Sequence, residues 1–415
     1  MQLKVILNHI ERHHGFVYDL VTWTDSSKRS LDVSVRPHGR SRGVCSGCGK
    51  RRPTYDHLPT RRYLFIPIWT IVVYLVYRPR RVNCPACGVR VERVPWANGK
   101  ERITLSFQWF LACWAKKLSW SETARSFGTS WDTVFRAVKM AVCWGLRHRD
   151  LEGIQAIGID EIAFKKGHKY MTLVYQIDRG HRRLLWIGED RTKATLRRFF
   201  RLFGKRRTST LKYICSDMWK PYLAVVAAEA NQALHILDRF HIVQMFNKAL
   251  NQVRAEEARR LKELGHTVLK NTRWLLLKSR RNLQRSEVLR LKELVSHNLK
   301  TVKCYLMKED FQRIWDYKQQ WRIGYFFQDW VDRAKRTRIK PMQTLAKTLE
   351  SHAEQIFNWF EAKGEISAGA VEGMNLKVKL TTRRSYGLRS KNTVKYALYH
   401  NLGHLPEPES AHRFC

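Results

Sequence analysis

The 415-residue sequence has no apolar run long enough to cross a bilayer as a helix; the longest, Tyr63–Tyr77, is too short and contains Pro67. Its opening stretch, MQLKVILNHIERHH, breaks its apolar residues with Lys4, Asn8, His9, Glu11 and Arg12, so a secretory signal is not expected. Lipidation signals and a basic amphipathic anchor are missing too, and a membrane is not an expected partner. There is no internal repeat and no low-complexity tract, so no repeat architecture is expected. Acidic residues are scarce: Asp and Glu number 36 against 77 Lys and Arg, a formal charge of +41. A charge so far from neutral repels itself unless the working partner is a polyanion. A hydrophobic content of 44% with 15 Trp excludes a disordered basic tail. The expectation is a folded, multidomain basic protein whose partner is nucleic acid.

Cysteine is not scarce, but its nine copies are an odd number and four fall in close pairs. Cys45-Ser-Gly-Cys48 and Cys84-Pro-Ala-Cys87 are C-x-x-C knuckles able to place four thiolates around one Zn²⁺. Glycine in or beside each knuckle lets the backbone turn its N–H groups toward the sulfurs. The gap between the pairs exceeds the usual spacing, and a β-hairpin with Arg-rich edges would fill it. Four thiolates leave no open coordination position, so the zinc would be structural. The alternative is two unrelated pairs of buried cysteines.

After this β-leaning region the pattern becomes helical. Phe107, Phe110, Leu111 and Trp114 form a stripe, and SWSETARSFGTSWDTVFRAVK follows. Ser119 with Glu122 reads as a capping box, Gly128 as a helix stop, and Thr129 or Ser130 as the next cap. The spacing predicts a helix-turn-helix with Trp131–Lys139 as the recognition helix. Asp132, Thr133, Arg136 and Lys139, with Ser130 at the start, are its candidate DNA contacts. Any helical hairpin with a glycine turn would show the same pattern.

From Gln155 the period switches again. Strands are predicted over Gln155–Phe164, Tyr170–Ile177 and Leu184–Gly188, then a helix Ala194–Phe203, a strand Leu211–Cys215, a helix Pro221–Ala230 and a strand Ala233–Leu237. The order β-β-β-α-β-α-β is that of a ribonuclease-H-like core, in which the first and fourth strands lie side by side and parallel. Asp160 would end the first and Asp217 would follow the fourth, so the carboxylates would share one crevice. Crowded carboxylates repel unless a cation neutralises them, and hard oxygen ligands at a phosphodiester site suggest Mg²⁺. Taken alone, the acidic pair Asp160–Glu161 also fits an ordinary strand-end turn.

Residues 246–362 are predicted to be helical, with aromatics at Trp274, Trp315, Trp321, Phe326, Phe327 and Trp330, most of them as core. In the closing segment Glu372, Asn375 and Lys379 fall on one helical face, followed by Arg383, Arg384 and Arg389. A lone acid in such a basic helix suits a metal ligand among phosphate contacts, or equally a solvated glutamate paired to lysine.

IGIDEIAFKKGHKY, SDMWKPY, DRFHIVQMFNKALNQVR and VEGMNLKVKLTTRRSYGLR closely resemble the ISL-three family of bacterial insertion-sequence transposases, over essentially the whole chain. The resemblance implies an Asp-Asp-Glu triad in a ribonuclease-H-like α/β core with an all-α insertion before the glutamate. It falls on Asp160, Asp217 and Glu372 as ligands of two catalytic Mg²⁺ ions, with Mn²⁺ as a substitute. Glu161, Asp238 and His241 would support them, and Asn375, Lys379, Arg383, Arg384 and Arg389 would hold DNA. The implied activity is two-metal cleavage at terminal inverted repeats and strand transfer into target DNA. It would be carried out by a homodimer or higher oligomer in the bacterial cytoplasm, at the nucleoid. A zinc-ribbon and helix-turn-helix DNA-binding protein, or a structure-specific nuclease on the same scaffold, are the competing possibilities. The expected domains are a zinc ribbon (1–100), a helix-turn-helix (101–150), the first part of the core (151–245), the helical insertion (246–362) and the end of the core with its basic segment (363–415).

Overall fold

The computed structural model describes residues 3–165, 169–362, 366, 369–384 and 390–409; the side chains of Phe164, Lys165, Lys169 and Arg384 lie outside that description. Two compact units emerge: Met1–Asp150 with Leu380–Cys415, and Leu151–Lys379.

The first unit opens with α1 (Leu3–Ile10), β1 (Phe16–Trp23) and β2 (Ser30–Pro37), followed by the short β3 (Gly43–Val44), β4 (Arg51–Arg52) and β5 (Thr54–His57). Then come β6 (Arg61–Leu64), β7 (Val72–Tyr77), β8 (Arg80–Cys84) and β9 (Gly88–Val91). One sheet has the order β1-β2-β7-β6, a second β5-β8-β9, and β3 pairs with β4. The hairpin expected between the cysteine pairs is β6–β7, antiparallel from Arg61 opposite Tyr77 to Leu64 opposite Tyr74. Along β2 the alternate residues Leu31, Val33 and Val35 are buried, as a period of two requires. They pack in a core around Trp96, whose ring meets Phe16, Tyr63 and Tyr77 at 4.9, 6.0 and 5.2 Å.

Helices α2 (Leu105–Lys117), α3 (Trp120–Ser126) and α4 (Trp131–His148) follow. The capping box forms at α3: Ser119 accepts from the N–H of Glu122, whose carboxylate accepts from the N–H of Ser119. Gly128, at φ +60°, turns the chain in the left-handed region, and Ser130 caps α4 by accepting from the N–H of Thr133. Helix α4 continues to His148 rather than stopping at Lys139, because Ala141, Val142 and Gly145 extend its buried face.

The second unit is mixed α/β. It runs β10 (Ala156–Lys165), β11 (Lys169–Asp178), β12 (His181–Gly188), α5 (Lys193–Phe203), α6 (Lys205–Ser209), β13 (Tyr213–Ser216), α7 (Lys220–Glu229) and β14 (Leu234–Leu237). The sheet order is β12-β11-β10-β13-β14. The first three strands are antiparallel neighbours, while β13 lies parallel to both β10 and β14. β12 starts at His181, earlier than the expected Leu184, because backbone pairing continues through Arg182 and Arg183 up to the tight turn at Gly180, φ +83°. In α5, Leu196, Phe199, Phe200 and Phe203 recur at helical spacing and pack with Ile157 and Ile159 of β10. Each such side chain contributes roughly 1.5–3 kcal/mol of burial. Gly158 and Asp160 alternate onto the opposite face.

Seven helices then form a separate core: α8 (Arg239–Glu263), α9 (Arg273–Leu277), α10 (Arg285–Ser296), α11 (Lys300–Gln312), α12 (Gln320–Arg336), α13 (Lys340–Glu350) and α14 (Ala353–Glu361). At its centre the rings of Phe246, Phe311 and Trp330 lie 4.9–5.3 Å apart. Trp315 and Phe327 are buried there as well, whereas Trp274 and Trp321 are 69% and 68% exposed and take no part in the core. Lys308, 3% exposed, donates to the carbonyls of Leu276, Leu277 and Lys278 at 3.0–3.2 Å and so closes the C-terminus of α9. After α15 (Ala370–Arg384), α16 (Lys391–Leu402) groups with the first unit, its Tyr396 ring 6.0 Å from Phe135. The segment 363–415, read from sequence as one piece, is therefore divided between the units at Lys379 and Leu380.

Candidate active site

Three neighbouring parallel strands present acids at one edge of the sheet. Asp217 directly follows β13 and Asp238 directly follows β14, whereas Asp160, expected to end its strand, lies in the middle of β10, because antiparallel pairing with β11 carries the strand on to Lys165; it stands just past Gly158, where the pairing with β13 stops. The register Gly158 opposite Cys215 and Ser216 opposite Leu237 brings these ends level. The C-terminal edge of parallel strands is where such sheets hold ligands. Asp160 and Asp238 are 7% and 4% exposed.

Their electrostatics follow from that crowding. Burial raises the pKa of Asp160 above its ordinary value, and Asp217 adds to the rise; the N–H of Glu161, at 2.7 Å, with His241 and Asn375, pulls the other way. Burial raises Asp238 too, reinforced by Asp160 and Glu372, while the N–H of Phe240 at 2.9 Å and the nearby His241 oppose it. Glu161 is pushed up to about 7 by burial and then by Asp217, with Arg191 resisting. A carboxylate group that resists ionisation in this way gains most from a cation.

Arg191, in the connection from β12 to α5, supplies positive charge. Its Nε lies 2.6 Å from Glu161 Oε2, its Nη2 3.5 Å from Asp217 Oδ2, and its guanidinium 4.2 Å from the ring centroid of Trp219. Asp217 Oδ1 also accepts from the N–H of Trp219 at 3.1 Å. Sequence reading did not single out Arg191, because one arginine among 77 cationic residues carries no signal.

Helix α15 lies over the Asp160 face of β10. A Cβ on Gly158 would stand 2.6 Å from Cγ2 of Val371, so glycine permits the close approach. One turn on, Asn375 donates from Nδ2 to Asp160 Oδ2 and accepts at Oδ1 from the hydroxyl of Tyr175, 3.0 Å away. Asn375, expected at DNA, thus spends its amide on Asp160 and Tyr175. Glu372, Lys379 and Arg383 are exposed on the same helix; Arg389 and the side chain of Arg384 lie outside the described residues.

Two donor sets can hold metal. The carboxylates of Asp160, Asp217 and Asp238 are hard oxygen ligands borne by neighbouring parallel strands, and Asp160 and Asp238 are buried there. That chemistry fits a divalent cation such as Mg²⁺. Among the described residues they form a looser set than the sulfurs of Cys45, Cys48, Cys84 and Cys87, all within 4.8 Å of one another, with Cys48 and Cys84 3.6 Å apart. A tetrahedral site with Zn–S of about 2.3 Å needs sulfur–sulfur separations near ~3.8 Å, which the quartet fits. At Cys84 burial opposes ionisation, but the N–H groups of Ala86 and Cys87 and the neighbouring thiols bring its pKa down to about 6. Gly47 passes close to the quartet: a Cβ there would meet Cys87 Sγ at 2.9 Å.

On α4, Asp132, Arg136 and Lys139 are exposed on one face, and Thr133 is half-buried against the capping hydroxyl of Ser130, 2.9 Å away. Arg136 pairs with Glu101 and Asp132, each at 3.2 Å.

Comparison with known proteins gives a concordant result. The family model DDE_Tnp_ISL3, described as Transposase, matches residues 157–398. The chain is 28% identical over 381 residues to the transposase for insertion sequence element IS1001 of Bordetella parapertussis, covering 91% of this chain and 93% of that protein. It is 26% identical over 406 residues to the transposase for insertion sequence element IS1557 of Mycobacterium tuberculosis, covering 91% and 90%.

Proposed function

We propose that this chain, which belongs to the ISL-three family of transposases, moves an insertion sequence by cutting DNA at the terminal inverted repeats and joining the ends to target DNA. The observation that supports this reading is the parallel pairing of β10, which bears Asp160, with β13, which Asp217 follows, and the packing of the Glu372-bearing helix at Gly158. The strand order β12-β11-β10-β13-β14, with its last three strands parallel, supports a ribonuclease-H-like core with the all-α segment inserted before Glu372.

In this reading Asp160, Asp217 and Glu372 are the catalytic acids and hold the divalent ions. Two bound Mg²⁺ ions would supply Lewis acidity, activating water or a DNA 3′-hydroxyl and stabilising the leaving oxygen. Asn375 and the N–H of Glu161 fix the carboxylate of Asp160. Asp238, capping α8, and His241 in its first turn set the local charge. Arg191 neutralises Glu161 and Asp217, and so keeps the crowded edge compact.

The cysteine quartet is assigned one structural zinc in a ribbon, and α3–α4 a helix-turn-helix that binds the repeats. The basic C-terminal segment would hold phosphates, and two or more protomers would assemble on DNA. No helix among the described residues is long and apolar enough to cross a membrane.

The test is strand transfer. Purified protein, incubated with pre-cleaved repeat ends, a plasmid and Mg²⁺, should yield plasmid joined to the ends. Hydrolysis without joined product would favour a structure-specific nuclease instead.

A further inference from the structure

A groove of about 1170 Å³ opens in the first unit, between the α1–β1 junction, the β2–β3 turn, β4 and the residues after β9. Small-molecule sites are mostly apolar and about 300–1,000 Å³. This one is larger and cationic. Arg12, Arg40, Arg42, Arg51 and Arg93 line it, all exposed, with His14 and His38 beside them. Among the described residues none of these five arginines is ion-paired to a carboxylate.

Among the described residues Glu92 is the one acid in the lining, and it is already committed. Its side chain is fully buried and accepts from Arg80 Nη2 at 2.7 Å, Arg80 Nε at 2.9 Å, the N–H of Arg80 at 2.7 Å and the hydroxyl of Tyr77. Arg80 in turn donates from Nη1 to the carbonyl of Ser41 at 2.7 Å. A buried ion pair therefore fixes the residue between Arg40 and Arg42. The opposite wall is equally held: the N–H of Arg93 donates to Val44 at 2.7 Å, Val44 pairs with Arg51, and Cys45 bridges Glu92. Unpaired guanidiniums held together on a rigid frame repel one another until a polyanion enters.

We propose that this groove is a track for the phosphate backbone of duplex DNA, separate from the base-reading face assigned to α4. The inference rests on the transposase reading for its polyanion, and adds a contact site which that reading does not require. The guanidinium fork suits phosphate oxygens, and backbone contacts of this kind position a protein on DNA without reading sequence.

The experiment is fluorescence anisotropy of full-length protein with a fluorescein-labelled duplex of arbitrary sequence, across a salt series. Each lost phosphate contact lowers the log–log salt slope by about 0.9. The R40A/R42A/R93A variant should therefore bind at least about tenfold more weakly at low salt, with a slope smaller by roughly 2.7. The R40K/R42K/R93K variant, which keeps the charge, should retain most of the slope and reports whether the alanine result is a folding artefact. An alanine variant with wild-type affinity and slope overturns the groove while leaving the transposase reading intact. Wild-type protein that fails to bind duplex DNA at all overturns both.

Discussion

Asn375 on α15 and Asp160 on β10, 215 positions apart, are joined by a hydrogen bond from the amide to Oδ2 of the carboxylate. Tyr175 orients the other end of the amide. The bond favours the ionised carboxylate. In N375A its loss should raise the pKa of Asp160, so the acid limb of the cleavage pH profile should move to higher pH. Misplacement of the acid should slow single-turnover cleavage by about 10²-fold. DNA affinity should be unchanged. An unmoved acid limb would leave Asn375 with a purely structural role.

Gly158 lets α15 settle against the sheet, so G158A should be destabilising. The added methyl meets Val371 at 2.6 Å and Ile177 at 3.3 Å, an overpacking that costs about 1–3 kcal/mol. Thermal melting should fall in G158A and recover in part in G158A/V371A. Equal melting of G158A and wild type would mean that the helix does not pack this closely.

The cysteine quartet predicts one zinc per chain by elemental analysis of purified protein, and none in C84S/C87S. Chelation should unfold the β3–β4 and β8–β9 region first, where Cys45, Val82 and Cys84 form a small core of their own. Full zinc content in the double variant would refute the assignment.

Burial lowers three histidines: His13 and His235 to about 4 and His400 to about 3. Because the unfolded chain takes up these protons near the ordinary value of about 6.5, it binds more protons than the native state between that pH and about 4. Stability is therefore lost as pH falls through this window. H400F should lose less of its melting temperature than wild type between pH 7 and pH 4, as measured by parallel melts. A constant difference between the two would show that His400 titrates normally.

Much of this arrangement is legible in the sequence where the signal is local. The β-branched run around Asp160, the capping pair Ser119 and Glu122, and the apolar spacing of Leu196 to Phe203 each state their structure within a few residues. The element order then implies that β10 and β13 are neighbours, and they are. What escaped was set by distant partners. Arg191 has meaning only beside Glu161 and Asp217; Lys308 only beneath three carbonyls of another helix; Asn375 only across from Asp160. The exposure of Trp274 and Trp321 was similarly hidden, because an aromatic residue at helical spacing is identical in sequence whether it faces core or solvent.

If Asp160 is a catalytic acid, the nearly isosteric D160N change should remove catalysis and leave the fold intact. Cleavage of duplex DNA carrying the repeat ends should be measured with Mg²⁺, alongside binding of the same DNA. D160N should bind that DNA as tightly as wild type, with cleavage and strand transfer abolished. Cleavage persisting at the wild-type rate, with binding unchanged, would show that Asp160 is not a catalytic acid.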